Sequence, residues 1–132
     1  MLRPILACKD PYEAGRAFQT AGWTMDFSQP PESGDPLVGV SLWDNSLLLG
    51  VTEGYVPEGG LPFLGCGVVL YLTVPVHALE AVHTGHRTFR PTEIELQPWG
   101  DRAFEVTIAG VPADDCRERF RGINICFLIQ IF

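Results

Sequence analysis

The chain is short of positive charge, of paired cysteines and of long apolar runs. Lys and Arg number 9 against 16 Asp and Glu, for a formal net charge of -7. Nucleic-acid binders draw much of their affinity from neutralising phosphates, so this balance argues against a nucleic-acid partner. No stretch reaches the roughly 18 apolar residues that a membrane-spanning helix needs, so no membrane partner is expected. The four cysteines, Cys8, Cys66, Cys116 and Cys126, form no CxxC, and with the 3 histidines they make no zinc-finger spacing. Cys8 and Cys126 lie in apolar runs and read as small buried hydrophobes. Cys116 stands in DDCRER among both signs of charge, without the positioned base a nucleophile needs. A Gly-x-Ser-x-Gly elbow and a P-loop are both missing. Met1 leads directly into PILAC with no leader-like segment, so the expected setting is a reducing cytoplasm with free thiols.

What is present suits one strand-rich domain, 1–132. Of its 132 residues 46% are hydrophobic and 11% aromatic, enough for a core, and 14 Gly with 11 Pro imply many turns. RPILAC (3–8) reads as a first strand. KDPYEAGRAFQTAG (9–22) reads as a helix, with Asp10 at the N-cap, Pro11 at the first helical position and Gly22 closing it. WTMDFS (23–28) follows as a strand. LVGVSLW (37–43) and SLLLGVT (46–52) read as a hairpin around Asp44-Asn45. Residues 53–65 form a long loop rich in Gly and Pro that still carries Tyr55 and Phe63.

The order then repeats. GCGVVLYLTV (65–74) is a strand and PVHALEAVHTG (75–85) a helix that starts at Pro75, with Gly85 after its end. TEIELQ (92–97), RAFEVTIAG (102–110) and GINICFLIQIF (122–132) are further strands. The expected fold class is α+β: two βαβββ units, 1–60 and 61–132, pairing into a curved mixed sheet around a cleft. On the fifth strand Val68, Leu70, Leu72 and Val74 are expected to face the helices. Gly67, Val69, Tyr71 and Thr73 are expected to face the cleft.

Three stretches, KDPYEAGRAFQTAGW, SLWDNSLLLGVTE and EIELQPWGDRAFEV, carry a resemblance to a known family. The chain resembles the glyoxalase / bleomycin-resistance / dioxygenase (vicinal oxygen chelate) superfamily over roughly residues 3 to 109. The Gln-Pro-Trp-Gly turn (97–100) is the most specific marker and resembles the bleomycin-resistance branch. The family's Asp-Pro-x-Gly-Asn turn is replaced here by the longer IAGVPADDCRERFRG. That leaves open whether the last strand pairs within or between subunits.

The resemblance implies a metal in the enzyme members, held by His, Gln or Glu from the first, fourth, fifth and eighth strands. Here those positions fall near Arg3 and Gly67, on a fourth strand without His, Asp or Glu, and on a last strand offering only Asn124 and Gln130. His77, His83 and His86 cluster on or just after the second helix and read as exposed helix-end residues. Glu93 and Glu95, on one face of a strand, read as solvent-facing. No metal, cofactor or catalytic residue is therefore expected.

A cleft without a metal leaves binding. The branch resemblance implies a small aromatic or cationic ligand of the bleomycin type, and a homodimer. A cation over an indole gains about 0.5–2 kcal/mol, and a carboxylate adds a charge-assisted bond. The residues expected to supply these groups are Phe27, Trp43, Asp44, Glu53, Tyr55, Phe63, Tyr71 and Trp99. For each one alone, packing is the competing role, and for Trp99 it comes first. An enzyme whose metal ligands lie elsewhere, and a regulatory module without a ligand, are the alternatives.

Overall fold

The computed structural model describes residues 2–63, 69–108 and 125–131. Its first unit runs β1 (Ile5–Cys8), α1 (Pro11–Thr20), β2 (Thr24–Ser28), β3 (Val38–Leu42) and β4 (Asn45–Val51). The second runs β5 (Val69–Val74), α2 (Leu79–Gly85), β6 (Glu95–Leu96), β7 (Arg102–Ile108) and β8 (Ile125–Ile131). Each unit makes a four-stranded mixed sheet, ordered β1-β4-β3-β2 and β5-β8-β7-β6. In both, the first strand pairs parallel with the last and the remaining pairs are antiparallel. The βαβββ pseudo-repeat read from the sequence is therefore present, and β8 pairs within the chain.

Helix α1 begins where its chemistry dictates. Asp10 accepts from the backbone N–H groups of Tyr12 and Glu13 at 3.0 and 3.2 Å, and Pro11 opens the helix. Its buried face, Pro11, Ala14, Gly15 and Phe18, lies on the first sheet. Phe18 meets Trp23 edge to face, with ring centroids 4.9 Å apart. One buried cluster runs through both units, from Cys8, Phe18, Val40 and Leu49 to Leu72, Leu79, Phe104 and Ile108. No described helix is long and apolar enough to cross a membrane.

The hairpin turn sits one residue earlier than the sequence suggests. Leu42 pairs with Asn45, so the turn is Trp43-Asp44, and Trp43 adopts a φ of 52°. Asp44-Asn45 has better turn chemistry, but the Asn45 side chain is used elsewhere. Its amide donates to Leu42 O and, across the units, to Thr73 O on β5, both at 2.9 Å.

Two more differences lie in the second unit. A 3-10 turn, Val76–Ala78, precedes α2, and Gly85 is its last residue instead of following it. A Cβ at Gly85 would lie 2.8 Å from Ala21 O, so this glycine lets the ends of the two helices touch. Strand β6 is only two residues long. Thr92 Oγ1 accepts the Glu105 N–H at 2.8 Å, and the Thr92 carbonyl accepts from His83 Nε2 at 2.9 Å, which diverts both groups from a regular ladder.

His86 corrects the reading of the histidines as exposed. It is 0% exposed. Trp23 Nε1–H donates to His86 Nε2 at 2.9 Å, and His86 Nδ1–H donates to Val82 O at 2.7 Å. Burial pushes this imidazole below its ordinary pKa, against the opposing pull of the Val82 carbonyl. Trp23–His86, Gly85–Ala21 and Asn45–Thr73 together make the seam between the units.

Candidate functional site

Alternation along the strands sorts each sheet into a helix-covered face and a face without a helix. In the first sheet Val38, Val40, Leu47 and Leu49 are buried beneath α1. The opposite side carries Ile5, Ala7, Leu48, Gly39 and Ser41. A bulge in β2 between Met25 and Phe27 brings two neighbouring residues to that side. Phe27 lies flat over Gly39, where a Cβ would stand 2.4 Å from a ring carbon. Asp26 accepts from Ser41 Oγ at 2.8 Å. The face thus pairs an aromatic ring with a carboxylate, and Ile5 stands 66% exposed on it.

The second sheet does the same with other residues. Leu72 and Val74 are buried toward α2, whereas Val69 and Tyr71 are 53% and 60% exposed, as parity predicts. Tyr71 on β5 and Glu105 on β7 take the positions opposite Leu128 of β8, one on either side. Both therefore belong to the face without a helix, and Glu105 is exposed. Glu95 is exposed and joins that face through its pairing with Ala103.

The expected ligand residues separate into groups. Asp44 and Tyr71 come together in a groove of about 230 Å³ between the start of β4 and β5, floored by Leu47, Leu70 and Leu72. Trp43 faces a different groove of about 300 Å³, lined by Gly22, Leu42, His77 and Val82 on the helix side of the seam. Its ring meets His77 edge-on at 5.7 Å. Phe27 lies on the first sheet and borders neither groove. Glu53 and Tyr55 are exposed in the loop after β4 and border neither groove. Phe63 ends a 3-10 stretch, Glu58–Phe63, and its side chain lies outside the described residues. Trp99 is half exposed in the Gln97–Gly100 turn, which Gly100 N–H closes onto Gln97 O at 2.9 Å, with Gly100 at a φ of 100°. Asp26 and Glu105 were missed by the sequence reading. The register of β7 carries the signal for Glu105, while the bulge that turns Asp26 inward has none.

Among the described side chains the one cysteine is Cys8, and it is buried. Burial, aided by the charge of Asp10, pushes the Cys8 thiol up to about 12, so it stays protonated.

No family profile and no curated protein matches the sequence. Solved structures match along its whole length. A glyoxalase/bleomycin resistance protein/dioxygenase superfamily member from Sphaerobacter thermophilus superposes with a TM-score of 0.63 at 16% identity, covering 100% of this chain and 97% of that one. The chain has the glyoxalase/bleomycin-resistance fold. A bleomycin-binding protein complexed with bleomycin gives a TM-score of 0.56 at 13% identity, covering 99% and 95%. FosX, a fosfomycin resistance protein from Listeria monocytogenes complexed with Mn(II) and sulfate, gives 0.58 at 8%, covering 100% and 91%.

Metal-holding members of this fold need donors on the first, fourth, fifth and eighth strands. At the helix-free face, β1 and β4 present Ile5 opposite Leu48 and Ala7 opposite Gly50, none with a donor side chain. Arg3, just before β1, is exposed and cationic. Gly67 and Asn124 lie outside the described residues, and the backbone of Gln130 pairs with Thr73. Among the described residues no three His, Cys, Asp or Glu could hold a metal ion. Among the described residues, those of β1 and β4 on this face offer no donor that fits the metal.

Proposed function

We propose that the protein binds a small cationic aromatic compound without a metal, in the manner of a bleomycin-type sequestration protein. The observation that carries this is the repeated pairing of exposed ring and carboxylate: Phe27 with Asp26 on the first helix-free face, and Tyr71 with Glu105 on the second. Asp44 adds a second carboxylate beside Tyr71. Rings stack on a flat ligand, and carboxylates meet its positive charge. The net charge of -7 favours capture of a cation at long range. Similarity to bleomycin-binding structures supports the ligand class. Glu53, Tyr55, Phe63, Trp43 and Trp99 are proposed as rim contacts of the same ligand.

The working form is a homodimer in the cytoplasm, in which the helix-free faces of two copies meet around the ligand. Exposed Ile5 and Val69 on those faces support it. Light scattering that gives a monomer at micromolar concentration removes this part of the reading.

Titration with bleomycin and with a planar monocation such as proflavine, followed by calorimetry and tryptophan quenching, tests the binding. Tyr71→Ala and Glu105→Gln each weaken the affinity by about tenfold, equivalent to about 1.4 kcal/mol. No heat and no quenching from either compound sinks the ligand class. A stoichiometric divalent metal in the purified protein, by elemental analysis, overturns the metal-free reading.

A further inference from the structure

His86 is a fully buried titratable side chain, and it sits at the seam. Both of its ring nitrogens are committed. Nδ1 must carry the proton, because its partner is the Val82 carbonyl at 2.7 Å. Nε2 must then offer its lone pair, because the Trp23 indole that faces it at 2.9 Å can only donate. We propose that the Trp23–His86 bond is a proton-operated latch between the two units: a proton added at His86 Nε2 turns the acceptor into a second donor, the bond breaks, and the seam loosens.

The surroundings give the added charge no partner among the described residues. From β7 the ring faces Phe104, with centroids 6.2 Å apart, and from the segment after α1 it faces Trp23, at 6.5 Å. Neither titrates. From its own helix the titratable neighbour is His83, whose Nε2 is bound to Thr92 O, and whose positive charge would oppose a second one on His86. Burial, despite the Val82 carbonyl, holds His86 below its ordinary value, so the native state keeps it neutral. The latch is therefore complete above the unfolded-chain value of about 6.5 and is lost as the pH falls through the lower native value. Asn45 to Thr73 O and Gly85 against Ala21 O join the units through groups that do not titrate, so they act as the hinge, and the Trp43 ring also meets His77 across the units at 5.7 Å. A ligand held by both units is released in acid. That consequence rests on the binding reading above, and the latch itself does not.

The test follows the Trp23 indole N–H by nitrogen-15 NMR, assigned with Trp23→Phe, from about pH 7.5 down to about pH 5. The indole proton is expected to move upfield reversibly, and the melting temperature to fall in the same window. His86→Gln supplies an amide oxygen that accepts from the indole without titrating, and it abolishes both responses. An indole resonance insensitive to pH in the wild type overturns the proposal, whether or not the variant folds. So does an unchanged pH response in His86→Gln. Bleomycin titration at both ends of the range separates the two ideas. Failure to bind at either pH, with the indole bond still breaking in acid, sinks the binding reading and leaves the latch standing.

Discussion

The helix of the first unit has ten residues, starts on the Asp10 side chain and reaches its end in a left-handed glycine, Gly22 at a φ of 97°. The helix of the second has seven, follows a 3-10 turn without a side-chain cap, and stops at a buried histidine. The topology around them is the same. One helix is thus secured by its own local chemistry, and the other by contacts across the seam. A short uncapped helix is marginal alone, so tertiary contacts must hold it. A repeat preserves the order of elements while the forces behind each element change.

That contrast can be broken by substitutions in graded steps. The largest effect is expected at Leu79, fully buried at the start of α2. Leu79→Ala lowers stability by about 2–5 kcal/mol in urea unfolding. A smaller effect follows at the seam, where Gly85→Ala sets a methyl group against the Ala21 carbonyl and costs about 1–3 kcal/mol despite the gain in helix propensity. The first helix should suffer less. Asp10→Ala removes the cap and costs about 0.5–2 kcal/mol. A larger loss from Asp10→Ala than from Gly85→Ala would reverse the comparison. The smallest effect belongs to Glu80, which accepts from Arg102 at 2.9 Å on the open surface. Glu80→Gln leaves the melting temperature unchanged at physiological salt, because exposed ion pairs are screened.

Local signals in the sequence were legible where local physics decides. Asp10-Pro11 placed the start of α1, and the alternation on β5 sorted Tyr71 from Leu72. The order of strands and helices, together with the Gln-Pro-Trp-Gly turn, led to the fold. The seam was illegible because its partners are far apart in the chain. Trp23 and His86 are separated by 63 positions, and nothing near His86 signals an indole. Asn45 illustrates the same limit. Its type favours a turn, but its side chain serves Thr73 O on another sheet, and the turn moves to Trp43-Asp44. The grouping of the candidate residues was legible only in part. Tyr71 and Asp44 share a groove, whereas Trp43 was expected beside them and stands on the helix side.

In each sheet the strand made last lies inside, β4 between β1 and β3, and β8 between β5 and β7. During synthesis the first sheet can close as soon as β4 leaves the ribosome, with residue 51. The second has no interior until β8 emerges, so β5 waits with its edge unpaired while all the rest of its unit is made. The nascent chain therefore spends the interval with all strands of the first sheet made and the β5 edge unpaired, which is when a chaperone or a second nascent chain has its opportunity.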